Sequence, residues 1–405
     1  MVTVTIERLV AGGDGVGRLA DGMVVFVPRT APGDQVEIDV VERRRRFARG
    51  RLRRVVAEGP GRVTPECHHY VHDRCGGCQL QHVSIETQQT AKRSFVQDAL
   101  RRIGGRPDVE PILEPSPVAW HYRSKVRLAV RQGRAGFHAY DDASVFALER
   151  CAIAAEPLMT LWGLLRDSPP PPDTDALVLR MDRDGGLHVV VEGTKAPWTG
   201  PGGIARSAGS AVSWWWRPRG GAARVVAGPQ SGFPALAFEQ VNPALASRIR
   251  QAAAQALGDV TANVVWDLYG GVGDTARLLA ERGARVWSVD ADRSAVAWAE
   301  RQAGTPGSVN YVAALVEEAL HRLPEPAAVV VNPPRTGLHR RVAEHLERWG
   351  AQRRGSARLC YVSCDPATLA RDLARMPSFA LREVRAYDLF PQTAHVETLA
   401  VLEAT

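Results

Sequence analysis

Short runs in which apolar and polar residues alternate fill the first part of the chain. "TVTIERLV", "GMVVFVP" and "DQVEIDVVE" are β-rich, and Gly12, Gly13, Gly15, Gly17 and the "APGD" turn punctuate them. Five such strands predict a small barrel over residues 1–58. Residues 59–235 mix signals: a polar helix around "IETQQTAKRSFVQDALRRIG", strands in "YRSKVRLAVRQGRAGFHAY", and a Pro-rich linker, "DSPPPPDTD" (167–175), expected to be extended and exposed. "ALVLRMDRDGGLHVVVEG" predicts a hairpin turning at Asp184-Gly185-Gly186. In "SWWWRP" the side chains of Trp214–Trp216 alternate faces, so at least one belongs in the core. Residues 236–405 alternate apolar strands with helices, which predicts an α/β, Rossmann-like doubly wound parallel sheet.

Composition sharpens this picture in two places. The net charge of +7 over 405 residues fits either a solvated basic surface or a polyanion partner. "ERRRRFARGRLRR" then gathers eight arginines between Arg43 and Arg54, with Phe47 among them. An arginine stripe on a small β-barrel points to nucleic acid. The N-terminus lacks a basic segment followed by an apolar core, and no apolar run approaches the ~18 residues of a membrane span. A cytoplasmic protein with no membrane association is expected, and no obligate protein partner is evident. In that compartment six cysteines suggest metal ligation or catalysis rather than disulfides.

Four stretches carry candidate chemistry. In "WDLYGGVGDTARLLA", Asp267 ends a strand, Gly270, Gly271 and Gly273 let a ligand approach the backbone, and a helix follows. Asp290, ending the next strand, is placed to meet a ribose hydroxyl. A dinucleotide is one reading. The G-G-x-G spacing and the acidic Asp267 suit S-adenosylmethionine better. In "VVVNPPRTGL", Asn332 leaves a strand towards the same crevice. In "RLCYVSCDPATLARDLA", Asp365 and Pro366 start a helix, so Cys364 sits where strand ends and helix begins. The helix dipole there favours a thiolate, and Asp365 opposes it. Cys360, inside the strand, reads as core. Finally, Cys67, Cys75 and Cys78 are spaced C-x7-C-x2-C, with Cys151 alone downstream. A four-thiolate site could hold zinc or a [4Fe-4S] cluster. His68, His69, His72 and His82 nearby lean towards zinc.

Taken together, these motifs resemble the RNA uracil-C5 methyltransferases, which make 5-methyluridine in tRNA and bacterial 23S rRNA. "GDGVGRLADGMVVFVPRTAPGDQVEIDVVE" is similar to their RNA-binding TRAM barrel, "FEQVNPAL" to their Gln-Val-Asn, and "DLYGGVGD" to their methionine-cofactor loop. "SCDPATLARDL" resembles the nucleophile signature and "HVETLAVL" the C-terminal one. The resemblance implies Cys364 as nucleophile and Glu397 as base. It implies S-adenosylmethionine against Gln240, Asp267, Tyr269, Gly271, Gly273, Asp274, Asp290 and Asn332. It turns the metal reading to a [4Fe-4S] cluster on Cys67, Cys75, Cys78 and Cys151, organising a central α+β domain without a redox step. Arg335 and the barrel are expected to hold phosphates. The target uridine must be flipped from its stack. A cluster plus a TRAM unit favours 23S rRNA over tRNA. Two features depart from the family pattern: Asn332 stands where many members have Asp, and Ala314 where some place a polar cofactor contact. The nearest alternative is a tRNA uracil-C5 methyltransferase. DNA cytosine-C5 methylation lacks its Pro-Cys signature, since Ser363 precedes Cys364. A non-catalytic RNA-binding protein would have no use for loop, thiol and base together.

Overall fold

The structure, a computed structural model, describes residues 1–140, 142, 144–168, 170–200, 212–230, 232–302 and 307–405. The chain forms two compact units. One comprises Met1–Ala91, Pro117–Leu236 and Phe390–Ala394; the other comprises Lys92–Ser116, Ala237–Leu389 and His395–Thr405.

The first unit opens with the expected barrel. Strands β1 (Val2–Leu9), β2 (Gly15–Arg18), β3 (Val24–Val27), β4 (Gln35–Arg43) and β5 (Phe47–Ala57) close in the order β1-β2-β3-β5-β4. Alternation puts Val4, Ile6, Val25, Val27, Val36, Ile38 and Ala48 inside. Gly17 is obligatory, because a side chain there would collide with the Thr5 carbonyl of the paired strand. The arginine stripe lies along the end of β4 and β5, and much of it is already paired. Arg43 meets Asp21, Arg44 meets Glu42, Arg53 meets Asp39, and Arg54 meets Glu37.

A seven-stranded sheet completes this unit. Its order is Arg224–Ala227, Val212–Arg217, Leu187–Glu192, Ala176–Met181, Lys125–Arg131, Arg134–His138, Val145–Ala147. The helix Glu156–Leu165 covers its apolar face with Leu158, Leu161, Trp162 and Leu165. The expected hairpin is present: Met181 pairs with Leu187, and Gly185 takes φ +84° in the turn. Trp214 and Trp216 are buried and Trp215 half-buried. The expected exposed linker is a correction. Of the described residues in 167–175, Pro170 and Thr174 are buried, and the Asp175 N–H donates to Glu192 at 2.8 Å. The helix has already ended at Leu165, and the chain runs partly buried into the sheet.

The second unit holds an eight-stranded sheet. Its order is Val309–Ala313, Arg285–Asp290, Val264–Leu268, Ala328–Val331, Arg358–Ser363, Glu397–Ala404, Phe379–Tyr387, Ile112–Glu114. The first five are parallel, as the βα alternation predicts. The sheet then turns antiparallel, because Phe379–Tyr387 and Glu397–Ala404 are successive strands with no crossover helix between them. The strand order reverses direction beside Val264–Leu268, so its C-terminal edge and that of Ala328–Val331 border the crevice where open α/β sheets bind ligands.

Candidate active site

Glycine shapes the turn after Val264–Leu268. Tyr269 has φ +61°, Gly271 +54° and Gly273 +76°. A side chain at 270 would strike the Ser288 hydroxyl and the Asp267 carboxylate, and one at 273 would strike the Tyr311 ring. Beneath the turn, Asp267 is 1 % exposed and accepts the Ser288 hydroxyl at 3.0 Å. Burial, reinforced by Asp290 and Asp274, pushes its carboxyl up to about 7. Asp290 holds the turn by its backbone. It accepts Gly271 N–H at 2.8 Å and Asp292 N–H at 2.7 Å. Above the turn lies a cleft lined by Phe238, Gln240, Tyr269, Gly271, Asp274 and Asn332, among others. Asp274 is paired with Arg277, and Arg250 stands 3.7 Å away. Five of the expected cofactor residues therefore line the cleft, while Asp267, Gly273 and Asp290 build the turn that forms its floor.

Strand register brings the expected nucleophile and base together. Arg358–Ser363 and Glu397–Ala404 run antiparallel with Ser363 opposite Thr398, and the Thr398 hydroxyl donates to the Ser363 carbonyl at 2.9 Å. The next pair in that register is Cys364 and Glu397. Cys364 is half-buried and Glu397 is 2 % exposed. Burial, moderated by a hydrogen bond from Gln240 and by the Arg335 charge, pushes the Glu397 carboxyl up to about 8.

Opposing influences act on the Cys364 thiol. Burial and the Glu397 carboxylate push it up, while Arg335 pulls it down by charge and by a direct hydrogen bond. The Arg335 side chain, expected on phosphates, touches the thiol. The loop carrying it is pinned to the helix Pro366–Ala374. Thr368 Oγ1 donates to the Arg335 carbonyl at 3.1 Å, Arg371 to the Thr336 carbonyl at 2.7 Å, and Leu338 N–H to Asp372 at 2.8 Å. Asp365 caps that helix on Thr368 N–H at 2.9 Å. No sequence motif announced the Arg335–Cys364 contact; the only signal was an arginine where base-stacking relatives of the Asn-Pro-Pro motif carry an aromatic ring.

Four other cysteines lie near one another in the first unit. Cys67, Cys78 and Cys151 pack in one apolar cluster with Tyr70, Trp120, Tyr122 and Ile153. Cys75 accepts Gly77 N–H at 3.3 Å, and burial plus the neighbouring thiols push it up to about 11. All four thiols are free. Among the described residues, no group of three or more His, Cys, Asp or Glu side chains could hold a metal ion. Of the nearby histidines, His69 is bound to Asp73, and His82 to the Tyr70 hydroxyl at 2.7 Å.

Fold and cleft together define an S-adenosylmethionine-dependent methyltransferase. Residues 1–52 match the TRAM domain, and residues 322–405 match the tRNA (Uracil-5-)-methyltransferase family. The chain is 31 % identical to the 23S rRNA (uracil(1939)-C(5))-methyltransferase RlmD of Halomonas elongata, over 99 % of this chain and 89 % of that one. It is 32 % identical to RlmD of Chromohalobacter salexigens, over 98 % and 88 %. Its fold is similar to the tRNA (uracil-54, C5)-methyltransferase of Pyrococcus abyssi, solved in complex with S-adenosyl-L-homocysteine, with a TM-score of 0.73, 24 % identity, and coverage of 98 % of this chain and 99 % of that one. The chain belongs to the RNA uracil-C5 methyltransferases. No helix among the described residues is long and apolar enough to cross a membrane.

Proposed function

We propose that this enzyme methylates carbon 5 of a uridine in 23S rRNA in the cytoplasm, through a covalent bond between Cys364 and carbon 6 of the base. The observation that carries this reading is the register that sets Cys364 against Glu397, with Arg335 on the thiol and Gln240 on the carboxyl. The rRNA preference is supported by the RlmD relatives, which align along almost the whole chain. A tRNA substrate is the second reading.

S-adenosylmethionine fits the glycine turn, whose cleft-facing Gly271 leaves room that a side chain would fill; it supplies the electrophilic methyl group. The rest falls to the chain. Carbon 5 of uracil is a weak nucleophile. As Arg335 draws charge onto the sulfur, the Cys364 thiolate adds to carbon 6, and the ring becomes an enolate whose carbon 5 takes the methyl. Glu397, in its ionised form, then removes the carbon-5 proton, the electron pair reforms the 5,6 double bond, and the carbon–sulfur bond breaks to return the thiolate. Gln240 orients the Glu397 carboxyl beside the cleft.

Cys67, Cys75, Cys78 and Cys151 would hold a [4Fe-4S] cluster. Four free thiols in apolar surroundings, one with an N–H aimed at its sulfur, suit that donor set. The cluster's place here is structural.

The test is Glu397→Gln. With the base gone, carbon 5 keeps its proton and the sulfur cannot leave. The variant should accumulate a protein–RNA adduct that survives denaturing electrophoresis, requires S-adenosylmethionine and is absent when Cys364→Ala is added. Normal turnover without adduct would end the mechanism. Adduct on tRNA but not on 23S rRNA fragments would favour the second reading.

A further inference from the structure

Three of the four cysteines lie close together in sequence and Cys151 stands far downstream, and one side chain outside the set touches both stretches. His69 is 4 % exposed. Its Nε2 accepts two backbone N–H groups, Glu149 at 2.9 Å and Arg150 at 3.5 Å, immediately before Cys151. Its Nδ1 bonds Asp73 at 2.8 Å. An acceptor Nε2 requires the proton on Nδ1, where the Asp73 carboxylate receives it, so Asp73 fixes the tautomer the contact needs. The ring also lies against Phe146, centroids 5.0 Å apart, on the strand that leads to Glu149. The His69 carbonyl accepts Cys75 N–H at 2.9 Å, and Cys67 caps the helical turn in which His69 stands. Both ring nitrogens are thus committed, which leaves none for a metal.

We propose that His69 is the positioning residue of the four-thiol site: it ties the Cys151 segment to the loop that carries Cys67 and Cys75. The proposal rests on the reading of these cysteines as one site. Without that acceptor the N–H groups of the exposed Glu149 and Arg150 would turn to water, and the segment would lose the tie that keeps it closed. Opening at Glu149 and Arg150 would swing Cys151 away from the other thiols.

Two substitutions separate this role from general packing. In His69→Gln the amide oxygen can stand where Nε2 stands and still accept. In His69→Asn the amide reaches only the Nδ1 position, near Asp73. The full-length proteins are purified without air, reconstituted with iron and sulfide, and also stripped of metal. Alkylation of each cysteine is timed by mass spectrometry, and iron release to a chelator is followed at the cluster's visible absorbance. In metal-free protein, Cys151 should react roughly tenfold faster in His69→Asn than in the parent, the effect of removing about one hydrogen bond. His69→Gln should stay near the parent, and buried Cys360 should react alike in all three. The reconstituted His69→Asn protein should release iron faster than His69→Gln. Equal Cys151 rates in Asn and Gln variants, or equal acceleration at Cys360, would overturn the proposal. A parent that takes up no iron would refute the cluster, while the alkylation series would still decide the role of His69.

Discussion

Glu397 shows how a reactive side chain costs stability. Burial raises its carboxyl from 4.5 in the unfolded chain to about 8 in the fold. The folded state therefore holds a proton that the unfolded state releases between those values, and stability falls as pH rises through that window. At roughly 1.4 kcal/mol per pKa unit, the cost by pH 8 is on the order of 3–5 kcal/mol. Glutamine has nearly the same shape and carries no charge. Glu397→Gln should therefore melt several degrees above the parent at pH 8, and the gap should close towards pH 4.5. Melting curves recorded across that range check this, and a gap independent of pH would count against a buried, raised carboxyl. Asp267, also buried and raised, follows the same logic beneath the glycine turn.

At the scale of elements, the active site depends on how a loop is fastened to a helix. Gly337 takes φ +79°, and a side chain there would collide with Asp372 and Thr368, the residues that pin the Arg335 loop. Gly337→Ala should lift that loop and draw Arg335 off the thiol. Losing a nearby positive charge raises the pKa of Cys364, so its alkylation profile should move to higher pH. Arg335→Gln should move it the same way. An unshifted profile in Gly337→Ala, beside a shifted one in Arg335→Gln, would mean that the fastening does not control the thiol. This fastening also marks where the sequence stopped being informative. The β-rich runs, the glycine turn, the Asp365-Pro366 helix start and the identity of Cys364 were readable, because each is encoded within a few neighbouring residues. The meeting of Cys364 with Glu397 depends on an antiparallel register between distant strands, and that of Cys364 with Arg335 on a loop held from another helix. Neither leaves a local pattern. The Pro-rich stretch misled for the same reason: proline specifies an extended backbone, but the neighbouring sheet decides whether that backbone is exposed.

For the molecule as a whole, the excess positive charge was legible in the composition, but its distribution was not. Of the eight arginines from Arg43 to Arg54, five are paired with barrel carboxylates: Arg43, Arg44, Arg49, Arg53 and Arg54. These pairs are largely exposed, so each contributes little and can be exchanged for a phosphate. The exchange still leaves a carboxylate beside the RNA, which offsets much of what the new pairing contributes. Arg45, Arg46 and Arg51 form no ion pair among the described residues and stand exposed on the barrel. They can neutralise phosphate without uncovering an acid. Replacing all three with glutamine should flatten the dependence of RNA affinity on salt by roughly 0.7 in log–log slope for each phosphate of a single strand left without its arginine. The weakening should be similar across RNA sequences, because arginine–phosphate pairs carry no base information. Replacing Arg53 and Arg54 should weaken binding mainly through the freed Asp39 and Glu37, with a smaller change in slope. Binding isotherms at several salt concentrations separate the two, and a triple variant with the parent's slope would remove this face of the barrel from the RNA interface.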